Sequence, residues 1–179
     1  TKSIIGFAIA ALVVTFGLVP QFEQFEDLFS TETQDWVAEL SSLAVQEGQV
    51  TRVVDGDTVV VEGTGTVRLI GIDTPETKDP RKPVECYGQE ASDYMKNLVE
   101  GNQVELEFDP DNTTDRYNRT LAYIRLSDSN LDVNAEMIRK GYAQSYRSID
   151  HPRIDEYNAL EDQAKANQIG LWDPEICNQ

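Results

Sequence analysis

The sequence predicts an α+β protein: a five-stranded β-barrel of the OB type with about three helices, preceded by a hydrophobic N-terminal transmembrane or signal-anchor helix. Three observations carry this. From Gln49 onward, short runs rich in Val, Ile and Leu alternate with turn residues. Between and after those runs stand longer stretches with helical periodicity. Ahead of both lies an uncharged apolar run, Ile4 to Val19.

The apolar run comes first. As a helix it spans about 24 Å, near the lower limit for a bilayer core of about 30 Å, and extending it through Pro20 to Phe22 closes most of the gap. Lys2 precedes it and acidic residues follow, which places the N-terminus inside and the rest outside. Residues 1–22 therefore read as a membrane anchor or signal segment. Pro20-Gln21-Phe22 stands where a small-x-small cleavage site would be needed, which favours an uncleaved anchor; the alternative is a cleaved signal and a secreted domain.

Residues 23–48 read as an acidic amphipathic linker or docking helix. Phe22, Phe25, Phe29, Trp36, Leu40 and Leu43 recur at helical spacing with acidic residues between them. One reading is a solvated linker. The other is a docking helix that, being acidic, meets a protein rather than anionic lipid, so that residues 21–48 join a membrane protein complex.

Residues 49–179 form the domain. Val50–Val54 and Thr58–Val61 flank Asp55-Gly56-Asp57, a hairpin signal. Val67–Ile72 is a third strand, and Val104–Phe108 and Leu121–Leu126 are a fourth and fifth. Helical patterns occupy Tyr87–Glu100, Val133–Lys140 and Arg153–Asn167. Five strands with interspersed helices suit a small closed Greek-key barrel.

Charge limits what such a barrel does. The net charge is −17, whereas tight or processive duplex binders meet phosphate with basic surface. An enzyme that gathers a few arginines and a divalent cation in one cleft is compatible with that balance. Residues 1–48 hold Lys2 against seven acidic residues, and the remainder holds 14 basic against 25 acidic. His151 is the only histidine, which argues against a histidine-based nuclease or a His-rich zinc site. No Walker loop, dinucleotide fingerprint or serine elbow occurs. Cys86 and Cys177 are too few for a disulfide scaffold; behind an export signal they are either one bridge or two unpaired thiols.

The chemistry-bearing residues cluster in sequence. Asp55 and Asp57 share a turn that Gly56 permits, and Asp73 and Glu76 follow the third strand. Hard cations take several oxygen ligands. Taken alone, though, Asp-Gly-Asp is only a turn signal. Arg68 lies on the strand that ends near Asp73, and Arg119 starts a strand after an Asp-Arg-Tyr-Asn turn. A phosphodiester under attack gains charge on its equatorial oxygens, and guanidinium forks with a metal are the groups shaped to meet it. Each arginine by itself reads first as a surface ion pair in this acidic chain.

At these residues the chain resembles the staphylococcal nuclease (thermonuclease) family. Val53-Val54-Asp55-Gly56-Asp57-Thr58 and Val67-Arg68-Leu69-Ile70-Gly71-Ile72-Asp73-Thr74-Pro75-Glu76-Thr77 look like its two signature segments. Tyr87-Gly88-Gln89-Glu90-Ala91-Ser92, Thr114-Asp115-Arg116-Tyr117-Asn118-Arg119-Thr120-Leu121-Ala122-Tyr123 and the end, Glu161 to Trp172, also resemble it in order and spacing. The resemblance implies calcium-dependent hydrolysis of single-stranded DNA or RNA at the 5′ P–O bond, leaving 3′-phosphates. It implies calcium ligands at Asp57, Asp73 and the Thr74 carbonyl. Arg68 and Arg119 match the two phosphate-clamping arginines, and Glu76 matches the carboxylate that positions or deprotonates the attacking water. Asp55 matches a nearby acidic residue. Exported relatives pair cysteines at the places of Cys86 and Cys177, which implies a disulfide here.

Departures are specific. Asn118 replaces the family's usual glycine in the arginine turn, and Asn tolerates the positive φ that turn requires. The base-stacking tyrosines have no unambiguous match: Tyr146 is near the place, but a slip of one puts Arg147 there. Lys82, Arg116 and Tyr117 stand where the family borders its substrate, with solvated loop charge the equal alternative for the two basic residues. Trp172 reads as packing for the last helix. The resemblance thus implies a nuclease, and the apolar run with Lys2 ahead of it would hold that nuclease, membrane-anchored, on the extracytoplasmic side. The alternative is a non-catalytic or vestigially active subunit that docks through this domain in a membrane complex, though such modules usually lose the acidic and arginine positions kept here.

Overall fold

A computed structural model of the chain describes residues 45–77, 81 and 83–177. The anchor segment at residues 4–22, the proposed helix up to residue 44, and Lys82 lie outside the described residues. Among the described residues no helix is long and apolar enough to cross a membrane.

Among the described residues, seven strands and three helices follow in order. They are β1 (Val45–Asp55), β2 (Thr58–Val61), β3 (Gly65–Leu69), β4 (Ile72–Asp73), α1 (Gly88–Val99), β5 (Gln103–Glu107), β6 (Thr120–Leu126), α2 (Val133–Arg139), β7 (Gln144–Ser145) and α3 (Ile154–Ala166). A 3₁₀ turn at Gly170–Trp172 closes the series. Five strands form a closed barrel in the order β1-β2-β3-β6-β5, while β4 and β7 make a small separate pair. This is the OB-like architecture expected.

The first strand begins at Val45, so residues 45–48, assigned from the sequence to the preceding helix, are strand. They pair with β5, from Val45↔Glu107 to Gln49↔Gln103. The second half of β1 pairs instead with β2, with irregular register at Val50/Arg52 and Val53/Asp55. Such bulges bend and twist a strand. They let this one strand serve both sides of the barrel and close it.

Alternation fills the interior. Val50, Val59, Val61, Val67, Leu69, Val104, Leu106, Ala122 and Ile124 are fully buried, the inward set of a period-two pattern. The first helix buries Ala91, Met95 and Val99 at helical spacing, and α3 buries Tyr157, Glu161 and Ala164. Glu161 is neutralised by Arg147 and by Lys165 Nζ at 3.3 Å, as a buried carboxylate requires.

The third predicted strand, Val67–Ile72, is broken. Gly71 has φ +75°, and the chain turns there into β4. Buried Asn134 of α2 holds the break: its amide donates to the Ile70 carbonyl at 2.9 Å, and its oxygen accepts the Ile124 N–H at 3.0 Å. Asp132 caps the same helix by accepting the Ala135 N–H at 2.9 Å. The kink directs Asp73 away from the barrel wall and toward the site described next.

Candidate active site

Strand register assembles the site. Thr58 of β2 stands opposite Arg68 of β3, and β3 runs parallel to β6, with Val67 beside Thr120 and Arg68 beside Leu121. Arg119, one residue before Thr120, therefore arrives at the level of Arg68. The β1–β2 turn places Asp57 next to Thr58, and the Leu69 N–H donates to the Asp57 carbonyl at 2.9 Å, tying the turn to β3. Gly56 serves this turn through close approach: a Cβ there would lie 2.8 Å from the Thr74 side chain.

These residues face a cleft of about 620 Å³ that holds Asp55, Asp57, Arg68, Asp73, Thr74, Glu76, Arg116, Tyr117, Arg119 and Tyr146. The sequence-predicted site residues that fall among the described residues thus share one cleft. Arg81, outside the expected site, joins them.

Arg68 is the centre. Its Nη2 contacts Asp57 Oδ2 at 3.0 Å and Asp73 Oδ1 at 3.1 Å, while Nη1 donates to the Leu69 and Ile72 carbonyls at 3.0 and 2.9 Å. Its side chain is only 14% exposed. Buried Asp57 accepts further bonds from Thr74 N–H at 3.2 Å, Thr74 Oγ1 at 3.1 Å and Thr58 Oγ1 at 2.9 Å. Thr58 Oγ1 in turn accepts Arg119 Nη1 at 3.3 Å. A continuous polar chain therefore runs Arg119–Thr58–Asp57–Arg68–Asp73.

Arg119 is oriented by a residue outside the expected site. Asp115 accepts the Arg119 backbone N–H at 2.9 Å, its Nε–H at 2.7 Å and the Tyr117 N–H at 2.9 Å. Burial would raise the Asp115 carboxyl, but these bonds outweigh it and hold the group below the usual carboxylate range. Asn118 takes φ +60° in this turn, the left-handed conformation expected of the residue that replaces glycine. Tyr117, 66% exposed, lies under both Arg116 and Arg119, with guanidinium carbons 4.8 and 5.5 Å from the ring centroid.

Tyr146 also lines an adjoining, largely apolar cavity of about 470 Å³. Arg147 turns away from both to Glu161 and Asp162 of α3. Its backbone neighbour is fixed by the Tyr146 N–H, which donates to the Gly71 carbonyl at 2.9 Å.

Negative charge exceeds what Arg68 neutralises. Burial and then the neighbouring Asp57 push the Asp55 carboxyl up to about 6. Burial also raises Asp73; Arg68 opposes this, and Asp57, Glu85 and Glu76 add to it. Among the described residues no three acidic, histidine or cysteine groups converge into a metal shell by themselves. The donors present are all oxygens: two carboxylates on one guanidinium nitrogen, with the Thr74 backbone alongside. An all-oxygen, charge-excess set that leaves the remaining positions to water or substrate suits a hard divalent cation.

Cys86 and Cys177 are bonded to one another, their Cα atoms 5.9 Å apart. Lys165 Nζ lies 4.3 Å from the Trp172 ring centroid, so Trp172 packs on α3 as expected.

Comparison with known proteins agrees with this geometry. The family model described as staphylococcal nuclease homologue matches residues 66–174. A thermonuclease of Staphylococcus intermedius is 39% identical over 131 residues, which are 69% of this chain and 74% of that one. A thermonuclease of Staphylococcus hyicus is 42% identical over 111 residues, 60% of this chain and 64% of that one. An endonuclease of Bacillus subtilis is 36% identical over 126 residues, 68% of this chain and 59% of that one. The family model runs from β3 past the 3₁₀ turn and takes in Arg68, Asp73, Glu76 and Arg119 of the cleft, and the chain belongs to the staphylococcal nuclease family.

Proposed function

We propose that this domain hydrolyses phosphodiester bonds of single-stranded DNA and RNA with calcium as its cofactor. One observation carries the reading: the hydrogen-bonded chain from Arg119 through Thr58 and Asp57 to Arg68 and Asp73, which places two guanidinium groups and two carboxylates around one cleft. Arg68 and Arg119 bind the nonbridging oxygens of the phosphate and stabilise the charge that grows on them. Asp57, Asp73 and the Thr74 carbonyl are the residues that would hold calcium, which supplies charge neutralisation at the phosphoryl oxygens when bound. Glu76 positions the attacking water. The water's oxygen bonds to phosphorus as the P–O5′ bond breaks, and one of the water's protons ends on the leaving O5′, giving a 3′-phosphate and a 5′-hydroxyl. Arg116, Tyr117 and Tyr146 border the bound strand.

The chain would act outside the cytoplasm, anchored through residues 4–22 and, through residues 21–48, able to join a membrane protein complex. The Cys86–Cys177 disulfide supports an oxidising compartment.

The test uses the full chain, since a cut at residue 49 would delete the β1–β5 pairs from Val45 to Gly48. Purified protein should degrade single-stranded DNA and RNA with calcium and stop on addition of a calcium chelator, with 3′-phosphate ends on the products. Intact substrates in the presence of calcium would reject the reading.

A further inference from the structure

Resting on the hydrolytic reading above, we propose that Glu85 is a positioning residue for Glu76, acting through the Glu76 backbone.

Thr74 to Thr77 belong to no helix or strand. A carboxylate that aligns a water must nonetheless be held to a fraction of an ångström, because a misplacement of about 1 Å costs on the order of 100-fold in rate. The segment is fixed at two places. The Thr74 N–H donates to Asp57 Oδ2 at 3.2 Å. Two residues later, the Glu76 N–H donates to Glu85 Oε2 at 3.0 Å, and the Glu76 carbonyl accepts the Glu85 N–H at 2.9 Å. Glu85 thus satisfies both backbone groups of Glu76, as a strand partner would.

Glu85 is itself referenced to the core. Its carbonyl accepts the Gly88 N–H at 3.1 Å, at the start of α1. A Cβ at Gly88 would lie 2.7 Å from Thr77 Cγ2 and 3.0 Å from the Pro75 carbonyl oxygen, so the beginning of α1 packs directly on the segment that carries Glu76. Farther along the same face, the helix is locked by buried Ala91, Met95 and Val99. The next residue, Cys86, is bonded to buried Cys177. Barrel core, α1, Glu85 and Glu76 form one mechanical series.

The side chain acts as an acceptor, which a neutral amide can also be. Glu85→Gln therefore keeps the clasp, and Glu85→Ala removes it. In the full chain, hydrogen exchange at the Glu76 amide should rise at least about tenfold in E85A and stay near wild type in E85Q, with the melting temperature unchanged. The kcat for nucleic-acid cleavage should fall roughly 10- to 100-fold in E85A, with KM little altered and activity retained in E85Q. In an E76Q background the Ala substitution should bring no further loss, as expected when one residue acts only through the other. Unchanged Glu76 exchange in E85A, unchanged kcat, or an equal loss in the E76Q background would each overturn the proposal. Should E85A fail to fold, Glu85→Asp, which withdraws the acceptor by one methylene, gives the same readouts. A wild-type chain that cleaves nothing with calcium rejects the nuclease reading instead, and exchange at Glu76 still decides the clasp.

Discussion

Asp115 holds Arg119 with both carboxylate oxygens, Oδ1 accepting the backbone N–H at 2.9 Å and Oδ2 the Nε–H at 2.7 Å. The plane of the guanidinium is thereby set before any phosphate arrives, so ordering it costs less when substrate binds. Asp115→Ala should lower kcat/KM by roughly tenfold or more, less than loss of Arg119 itself, with the fold retained. Asp115→Asn should fall between, because an amide oxygen still accepts one of the two N–H groups. Steady-state kinetics beside a thermal melt would check the order; Asp115→Ala at wild-type rate would show that Arg119 needs no orienting partner.

Arg68 and Arg119 should each be worth about 100-fold or more in kcat, the range for groups that stabilise developing transition-state charge. The two differ in their effect on stability. Removing Arg68 leaves Asp57 and Asp73 facing each other without their shared donor, so Arg68→Ala should also lower the melting temperature in calcium-free buffer. Arg119→Ala should not. The control is Arg139→Ala, whose ion pair is with Glu136 on the surface of α2. A comparable rate loss there would show the effect to be nonspecific.

The barrel was legible because most of it is written in local alternation: β2, β3, β5 and β6 each carry buried residues two apart, whereas bulged β1 buries Val50 alone, and the turn at Asp55-Gly56-Asp57 is marked by residue type. What stayed hidden depends on tertiary contact. The break at Ile70-Gly71 follows from Asn134 reaching across from α2, and Asn134 has no sequence signal for burial. The two-residue strand β7 exists only because β4 lies beside it. Arg153 marks the start of the last helix in the sequence. In the fold it is a largely buried hub between Glu107, Asp132 and the Tyr123 ring. The candidate site divides the same way. Asp57, Arg68, Asp73, Glu76 and Arg119 stand in readable motifs, whereas Thr58, Asp115 and Glu85 acquire roles only through partners. An acidic residue four before the arginine was the one available signal for Asp115.

Gly141 and Gly170 should tolerate no side chain. Both have positive φ, +70° and +62°. A Cβ on Gly141 would lie 2.1 Å from the Ile169 carbonyl oxygen, and one on Gly170 would lie 2.3 Å from the Gly141 oxygen. The Leu171 N–H donates to the Gly141 carbonyl at 2.9 Å, so this contact joins the end of α2 to the 3₁₀ turn. Alanine at either glycine should destabilise by about 2–4 kcal/mol, combining backbone strain with a displaced contact. Urea unfolding would measure this, and a change below about 0.5 kcal/mol, the range of ordinary surface substitutions, would show the contact to be easily relaxed.

The disulfide spans 91 residues. Chain-entropy arguments give about 4–5 kcal/mol for loops of that length, an upper range because reduced chains retain structure. Cys86→Ser combined with Cys177→Ser should lower stability by a few kcal/mol on that basis and raise hydrogen exchange in the tail after Trp172. Equal melting temperatures for the oxidised and reduced protein would remove the bridge from the forces that hold the domain.

His151 gives the fold a pH dependence of definite sign. It is 5% exposed, its Nδ1 lies 3.0 Å from the Tyr123 hydroxyl, and its ring packs against Tyr157 at 5.5 Å between centroids. Burial lowers its pKa below the ordinary 6.5, with Arg153 adding to the effect and Asp109 and Asp150 opposing it. At this site the folded state therefore binds fewer protons than the unfolded state as pH falls below 6.5, and the His151 contribution to stability declines there. Its contribution is complete above the unfolded value and falls away through the folded one. Replacing the imidazole with a group that cannot titrate, as in His151→Gln, should flatten the wild-type-minus-variant difference in melting temperature above about pH 6.5 and give it a slope below that. Melting curves from pH 8 to pH 5 in paired buffers would measure the difference, and a difference constant across that range would mean that His151 is protonated equally in both states.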